Sequence, residues 1–397
     1  DINHHDEVTM ENFRHLVPSL RLYHGPDSLA MLPRELDRLG SSRAVIFCGA
    51  SLKRQGKALA GIQAAMGERC AGVYAQVQAH SPLPAVEAAA AELERLGADA
   101  VIAVGGGSAV VTARAASILL AERGDARLLC TSRDEGGALR SPRLLAPKLQ
   151  QIVIPTTPTT ATLKAGSAVL DPVDGKRLAL FDPKTRASAV FVHPDLLAKP
   201  PRDLVASAGL NTLAMALEGM MSRSGDPFSD ALLMHATRLL AQHLPQSNIS
   251  DDLSMRADLM MASLICGHGT DYTGAGIAIP LGHAISARFH IDNGLANAVV
   301  LPHVVRFNAE AAQSGLKKLA SAFGCSVADG SAQDAVIKAL ETIFDAMGAP
   351  RRLRDIGVTR DSLPELATIS MEDWFVRDNP RRVQSAGELQ HVLENAW

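Results

Sequence analysis

The sequence predicts two domains: a doubly wound, Rossmann-like parallel α/β domain over residues 10–193, then an all-helical (all-α) domain over residues 194–397. Three observations predict this. The chain has 397 residues, more than one ordinary domain accommodates. Short apolar runs alternate with helical stretches up to about residue 155, the pattern of strands and covering helices in a parallel sheet. After Pro194 long apolar-periodic segments take over and strand-like alternation almost vanishes.

In order along the chain, residues 43–48, 99–104 and 151–154 are continuous apolar runs of strand length. Residues 84–96 place Val86, Ala90, Leu93 and Leu96 at helical spacing, and Gly97 closes that helix. Residues 121–148, rich in glycine, proline and charge, read as an exposed loop inserted before the 151–154 strand. The pieces 167–170, 177–181 and 189–192 read as a hairpin joining the domains. Helices follow over 203–222, 228–243, 254–267, 275–287, 295–312, 332–347 and 385–396.

Hydrophobic residues make up 47% and charged residues 20%, which fits a globular protein with a large core. A net charge of −3 with scattered basic residues argues against nucleic acid and an anionic membrane as partners. The five cysteines (Cys48, Cys70, Cys130, Cys266, Cys325) are widely spaced without a CxxC, so neither a disulfide framework nor a structural zinc site is expected. No apolar run approaches the roughly 18 residues of a membrane helix, and the polar opening lacks a signal-peptide core. The expectation is a cytoplasmic protein, with Met10 as a candidate start and residues 1–9 an addition.

Gly105-Gly106-Gly107-Ser108 follows the second strand directly and opens a helix near Ala109. Glycines let backbone approach a pyrophosphate, and the helix N-terminus supplies unpaired N–H groups and a favourable dipole. Taken alone, the loop fits a ligand-free turn equally well. Pro155-Thr156-Thr157-Pro158-Thr159-Thr160 then follows the next strand, so its hydroxyls emerge at the same carboxyl edge, where such sheets bind ligands. Together the two elements favour a dinucleotide.

These residues resemble the iron-containing alcohol dehydrogenase superfamily, whose fold is dehydroquinate synthase-like. Further landmarks are Asp226-Pro227-Phe228-Ser229-Asp230-Ala231, similar to the family's N-P-x-S-D-A, and Gly294-Leu295-Ala296-Asn297-Ala298 through Leu301-Pro302-His303, similar to its G-x-x-N-A-x-x-L-P-H. Ser207-Ala208-Gly209-Leu210-Asn211, Ala79-His80-Ser81-Pro82, Asn379-Pro380-Arg381 and the final Ala396-Trp397 resemble the maleylacetate reductase branch. The resemblance implies an NADPH or NADH cofactor held by Gly49, Ser51, Gly105, Gly106, Gly107, Ser108, Thr156, Thr157, Thr160 and Arg177, a small-molecule substrate in the interdomain cleft, and a homodimer or larger homo-oligomer. In many members an Asp two residues after the first strand binds the ribose; Gly49 stands there, with Ser51, Lys53 and Arg54 just beyond, a change that permits NADPH.

In metal-dependent members an Asp and three His hold a divalent cation. By resemblance those places here hold Asn211, Met215, Ile279 and Asn293. Ile has no donor, a thioether prefers soft ions, and neutral amides bind weakly, so no catalytic metal is expected. His268, His290 and His303 read as packed or capping histidines rather than as substitute ligands. Without a metal to polarise the substrate oxygen, hydride transfer needs another electrophile or an activated carbonyl. His283 is the candidate proton donor, since imidazole titrates near neutrality, with a core histidine as the plain alternative. His80, Asn211, Asn293, Arg377 and Arg381 are candidate substrate-binding residues. The chain departs from the family at Val111, Arg114 and Ala161-Thr162-Leu163-Lys164, so both walls of the cleft are altered. The expected activity is NAD(P)H-dependent reduction of a 2- or 3-oxo acid type of carbonyl; the alternatives are a catalytically silent nucleotide- or metabolite-binding homologue and a reductase of a conjugated double bond.

Overall fold

The computed structural model describes residues 12–136, 138–326 and 331–397; the candidate start at Met10 lies outside them. Among the described residues all strands precede residue 193. They are β1 (Arg21–His24), β2 (Ala44–Phe47), β3 (Cys70–Tyr74), β4 (Ala100–Gly105), β5 (Ser132–Arg133), β6 (Leu139–Arg140), β7 (Gln150–Pro155), β8 (Gly166–Leu170), β9 (Arg177–Phe181) and β10 (Ala187–Val192). The helices interleaved with them are α1 (Leu32–Arg38), α2 (Ala50–Arg54), α3 (Lys57–Met66), α4 (Leu83–Arg95) and α5 (Gly107–Glu122). From Pro194 onward the chain is helical: α6 (Pro194–Leu197), α7 (Arg202–Met221), α8 (Pro227–His243), α9 (Leu253–Thr273), α10 (Ala278–Phe289), α11 (Asn293–Asn308), α12 (Gln313–Ala322), α13 (Ala332–Met347), α14 (Leu363–Ser370) and α15 (Ala386–Ala396).

Six strands form one parallel sheet in the order β1-β10-β7-β4-β2-β3. Its apolar runs lack alternation because both faces are covered. Val45, Phe47, Val101, Ala103 and Val153 pack with α4 and α5, whereas Ala44, Ile46, Ile102, Val104 and Ile152 pack with α1 and α3. The second domain closes around its own core, in which α7 supplies Leu213, Ala214, Ala216 and Leu217.

Three expectations need correction. Residues 189–192 do not belong to the domain-joining hairpin: β8 and β9 form that hairpin, and β10 lies in the main sheet between β1 and β7. Its nearly continuous burial suits a strand covered on both faces. The 121–148 loop carries a short antiparallel pair, β5 with β6, and buries Lys148 against Glu122 and Asp182. Helix α7 is, by length and composition, apolar enough to cross a membrane, contrary to the reading of the apolar runs, although most of it is buried in the helical core.

Helix α9 meets the first domain through Gly267, where a Cβ would overlap the Thr160 carbonyl oxygen. Any side chain there forces the helix off the loop. Gly267→Val is therefore expected to destabilise the protein by about 1–3 kcal/mol, the usual range for overpacking, read as a lowered denaturation midpoint; an unchanged midpoint refutes the close approach.

Candidate active site

The sheet order reverses at β2, with β3 on one side and β4 on the other. The loops leaving β2 and β4 therefore part, and the crevice beyond their carboxyl ends can take a ligand. A cavity of about 490 Å³ opens there, lined by Gly49, Ser51, Gly105, Gly106, Gly107, Ser108, Thr156 and Thr157. Gly105 has φ +147°, which disfavours any side chain, and a Cβ on Gly106 would stand 2.6 Å from Thr157 Oγ1. Gly106 caps α5, whose first-turn N–H groups have no helical acceptors and carry the positive end of the dipole. This cradle fits the pyrophosphate of a dinucleotide.

A second cavity of about 260 Å³ lies between the domains, lined by residues that include Thr160, Lys164, Arg177, Asn211, Met215, Ile279, His283, Trp374, Phe375 and Arg377. Among the described residues no Asp or Glu lines it. The Thr160–Lys164 wall is fixed by Arg114, a fully buried cation whose guanidinium donates to the carbonyls of Ala161 at 2.7 Å and Gly166 at 2.5 Å. On the opposite wall α10 presents His283, whose Nδ1 lies 3.0 Å from Asp373 Oδ2. Burial holds the His283 pKa below its usual value, the neighbouring Arg177 adds to this, and Asp373 opposes it. The carboxylate selects the Nδ1–H tautomer of the neutral ring and leaves Nε2 for proton exchange.

The donor set does not fit a divalent cation. Met215 and Ile279 are only 3% and 2% exposed. The Asn211 Oδ1 accepts from Asn297 Nδ2 at 2.9 Å, which occupies the amide oxygen. Asn293 contributes a buried Oδ1 with no hydrogen-bond partner, one neutral oxygen where a tight site needs several charged or imidazole ligands. No group of three His, Cys, Asp or Glu among the described residues is placed to hold a metal. Of the other histidines, His268 faces His15, His290 caps α10 in a left-handed conformation, and burial pushes the His303 pKa down to about 4.

The structure thus divides the residues singled out from sequence. Eight of the ten nucleotide candidates line one cavity, whereas Thr160 and Arg177 line the interdomain one instead. Asn211, His283 and Arg377 also reach the interdomain cavity, but His80 and Asn293 do not line it. Arg381 lies elsewhere, paired with Glu388 and stacked on Phe307. Lys53 borders a different depression, and the cation lining the dinucleotide cavity is Lys199. Sequence reading missed Lys199, which lines the cavity from far along the chain, and Asp373, which lies 90 positions from the His283 it bonds.

Residues 18–194 match the iron-containing alcohol dehydrogenase family, and residues 205–397 match the C-terminal part of the Fe-containing alcohol dehydrogenase family. The chain belongs to this family. It is accordingly an oxidoreductase of the NAD(P)-dependent dehydrogenase and reductase class. Lactaldehyde reductase of Escherichia coli (strain K12) is 27% identical over 387 residues, covering 94% of this chain and 97% of that protein. Maleylacetate reductase of Burkholderia cepacia is 25% identical over 378 residues, covering 95% of each chain. Among solved structures, a 1,3-propanediol oxidoreductase superposes with TM-score 0.88 at 24% identity, covering 98% of this chain and all of its own. The maleylacetate reductase of Agrobacterium tumefaciens gives 0.79 at 24%, covering 98% of this chain and 99% of its own.

Proposed function

We propose that this family member is an NAD(P)H-dependent reductase of small activated carbonyl compounds of the 2- or 3-oxo acid type, working without a catalytic metal and with His283 as proton donor. The observation that carries the reading is the cleft itself. Lys164, Arg177 and Arg377 line a cavity without a carboxylate, and an anionic substrate supplies the missing charge. An oxo acid is also activated towards hydride, so it needs less polarisation than a simple aldehyde. The relative named maleylacetate reductase supports the substrate class alone, since maleylacetate is an oxo dicarboxylate with a conjugated C=C bond beside its carbonyl. In the other cavity no Asp or Glu among the described residues stands in the lining, and Lys199 does, which favours NADPH because no lining carboxylate repels a 2′-phosphate.

A reduced nicotinamide bound there supplies the hydride. The guanidiniums of Arg177 and Arg377 orient the carboxylate, and His283 delivers the proton to the oxygen. NADPH fluorescence should report binding to the purified chain, and oxaloacetate should then drive NADPH oxidation. Exhaustive chelation is expected to leave that rate unchanged, because the donors at Asn211, Met215, Ile279 and Asn293 do not fit a divalent ion. Activity lost on chelation and restored by zinc or iron overturns the metal-free mechanism, and failure to bind either nucleotide overturns the reductase.

A further inference from the structure

Lys164 is the cation of the cleft to which the chemistry above assigns no contact with the substrate. It stands at the end of the Thr160–Leu163 turn, half-buried, and lines the interdomain cavity with Asn211, Met215, Ile279 and His283. Among the described residues no carboxylate forms an ion pair with it; its Nζ stands over the Phe375 ring, 5.7 Å from the centroid. Its mounting is rigid, because Arg114 holds the carbonyls of Ala161 and Gly166 on either side of it. Burial pushes its pKa down to about 8; Cys266 and Asp271 oppose the shift and Arg114 adds to it. At neutral pH the group is still largely an ammonium. An ammonium that lines a cavity with no counter-ion beside it is placed to receive a ligand oxygen.

We propose that the Lys164 ammonium is the electrophile of this cleft, donating a hydrogen bond to the substrate carbonyl oxygen and bearing the negative charge that develops there; this rests on the reductase reading above. Hydride adds to the carbonyl carbon with its electron pair, forming the C–H bond. The C=O π pair moves to oxygen, where Lys164 stabilises it. The oxygen takes its proton from the His283 imidazolium, and the nicotinamide leaves oxidised. A point charge with three rotatable donors suits a single oxygen, whereas the planar guanidiniums of Arg177 and Arg377 suit a carboxylate. The charge is fixed in place before reaction, so it requires little reorganisation as the alkoxide forms.

The test uses the full chain, its Lys164→Met and Lys164→Arg variants, and two probes, oxaloacetate and succinate, which share two carboxylates and differ in the carbonyl. Of the chain's two tryptophans, Trp374 lines the cavity and Trp397 packs under Arg354 and Arg360, so quenching of Trp374 reports binding without nucleotide or turnover. The wild type is expected to bind oxaloacetate about tenfold more tightly than succinate, equivalent to one good hydrogen bond to a charged donor. Lys164→Met should erase that preference while leaving succinate affinity within threefold, and Lys164→Arg should keep part of it. The rate of oxaloacetate reduction should fall about 100-fold or more in Lys164→Met, and its melting temperature should equal or exceed that of the wild type. No preference in the wild type, equal weakening of both probes in Lys164→Met, or an unchanged rate overturns the proposal. A wild type that shows the preference but reduces no oxo acid with either nucleotide defeats the reductase reading and, with it, the electrophile, leaving Lys164 as a carbonyl-binding group.

Discussion

Replacing Gly107 by aspartate is expected to weaken NADPH binding by at least about 100-fold, equivalent to about 2.7 kcal/mol. Gly107 opens α5 and lines the dinucleotide cavity. A Cβ there would stand 3.1 Å from Thr159 Oγ1, so the new carboxylate is crowded on the side of the threonine turn. It would compete for the first-turn N–H groups and repel the pyrophosphate. Two unit charges about 4 Å apart near a protein surface interact by about 4 kcal/mol, which is enough to account for the loss. An acidic residue in the first turn also favours the helix itself. The melting temperature should therefore hold while affinity collapses, which separates loss of the site from loss of the fold. Gly107→Ala makes a milder comparison, adding the Cβ alone without the bulk or charge of the carboxylate. Unaltered affinity in the aspartate variant would falsify the placement of the cofactor.

What the sequence discloses, and what it withholds, follows from how locally each feature is encoded. Strands β2, β4 and β7 are buried on both faces, so their apolar runs are unbroken and legible. Strand β1 is an edge with mostly exposed residues, and β3 is half-buried and interrupted by Gly72, on which a Cβ would stand 2.8 Å from Leu96 Cδ1. Neither carries the pattern of a covered strand, so neither is legible from the sequence. The dinucleotide cradle is legible because its chemistry is backbone chemistry: glycines at a strand end run directly into a helix N-terminus, and a threonine turn directly follows the next strand of the sheet's core. The substrate cleft depends on tertiary placement. Lys164 stands out only as a change of residue, and nothing local indicates that Arg114 clamps its loop or that Phe375 covers it. Asp373 lies 90 positions from the histidine it orients. His283 and Asp373 meet only when the second domain folds on itself, and Lys164 meets Phe375 only where the two domains come together.

The largest effect on turnover is expected at that pair. His283→Gln keeps a polar side chain of similar size but cannot carry a transferable proton, so kcat for oxo-acid reduction should fall about 10²–10⁴-fold, the usual contribution of a positioned acid. The pH dependence gives the sharper reading. Reduction requires the imidazolium, and burial together with Arg177 holds the His283 pKa below its ordinary value. The reduction rate should therefore decline as pH rises through that lowered pKa, whereas oxidation of the product alcohol, which needs the neutral ring as base, should climb over the same interval. Asp373 raises the pKa of His283. Asp373→Asn removes this support, so the limb should move to lower pH and reduction at neutral pH should slow further, even though the substituted amide can still hydrogen-bond to the ring. His80 also depresses the His283 pKa, and His80→Gln should shift the limb the opposite way, to higher pH, by a smaller amount. Opposite displacements in two variants that leave the ring in place are difficult to produce by general damage to the cleft. A limb that ignores both, or a His283→Gln enzyme within threefold of the wild type, assigns the proton to another group.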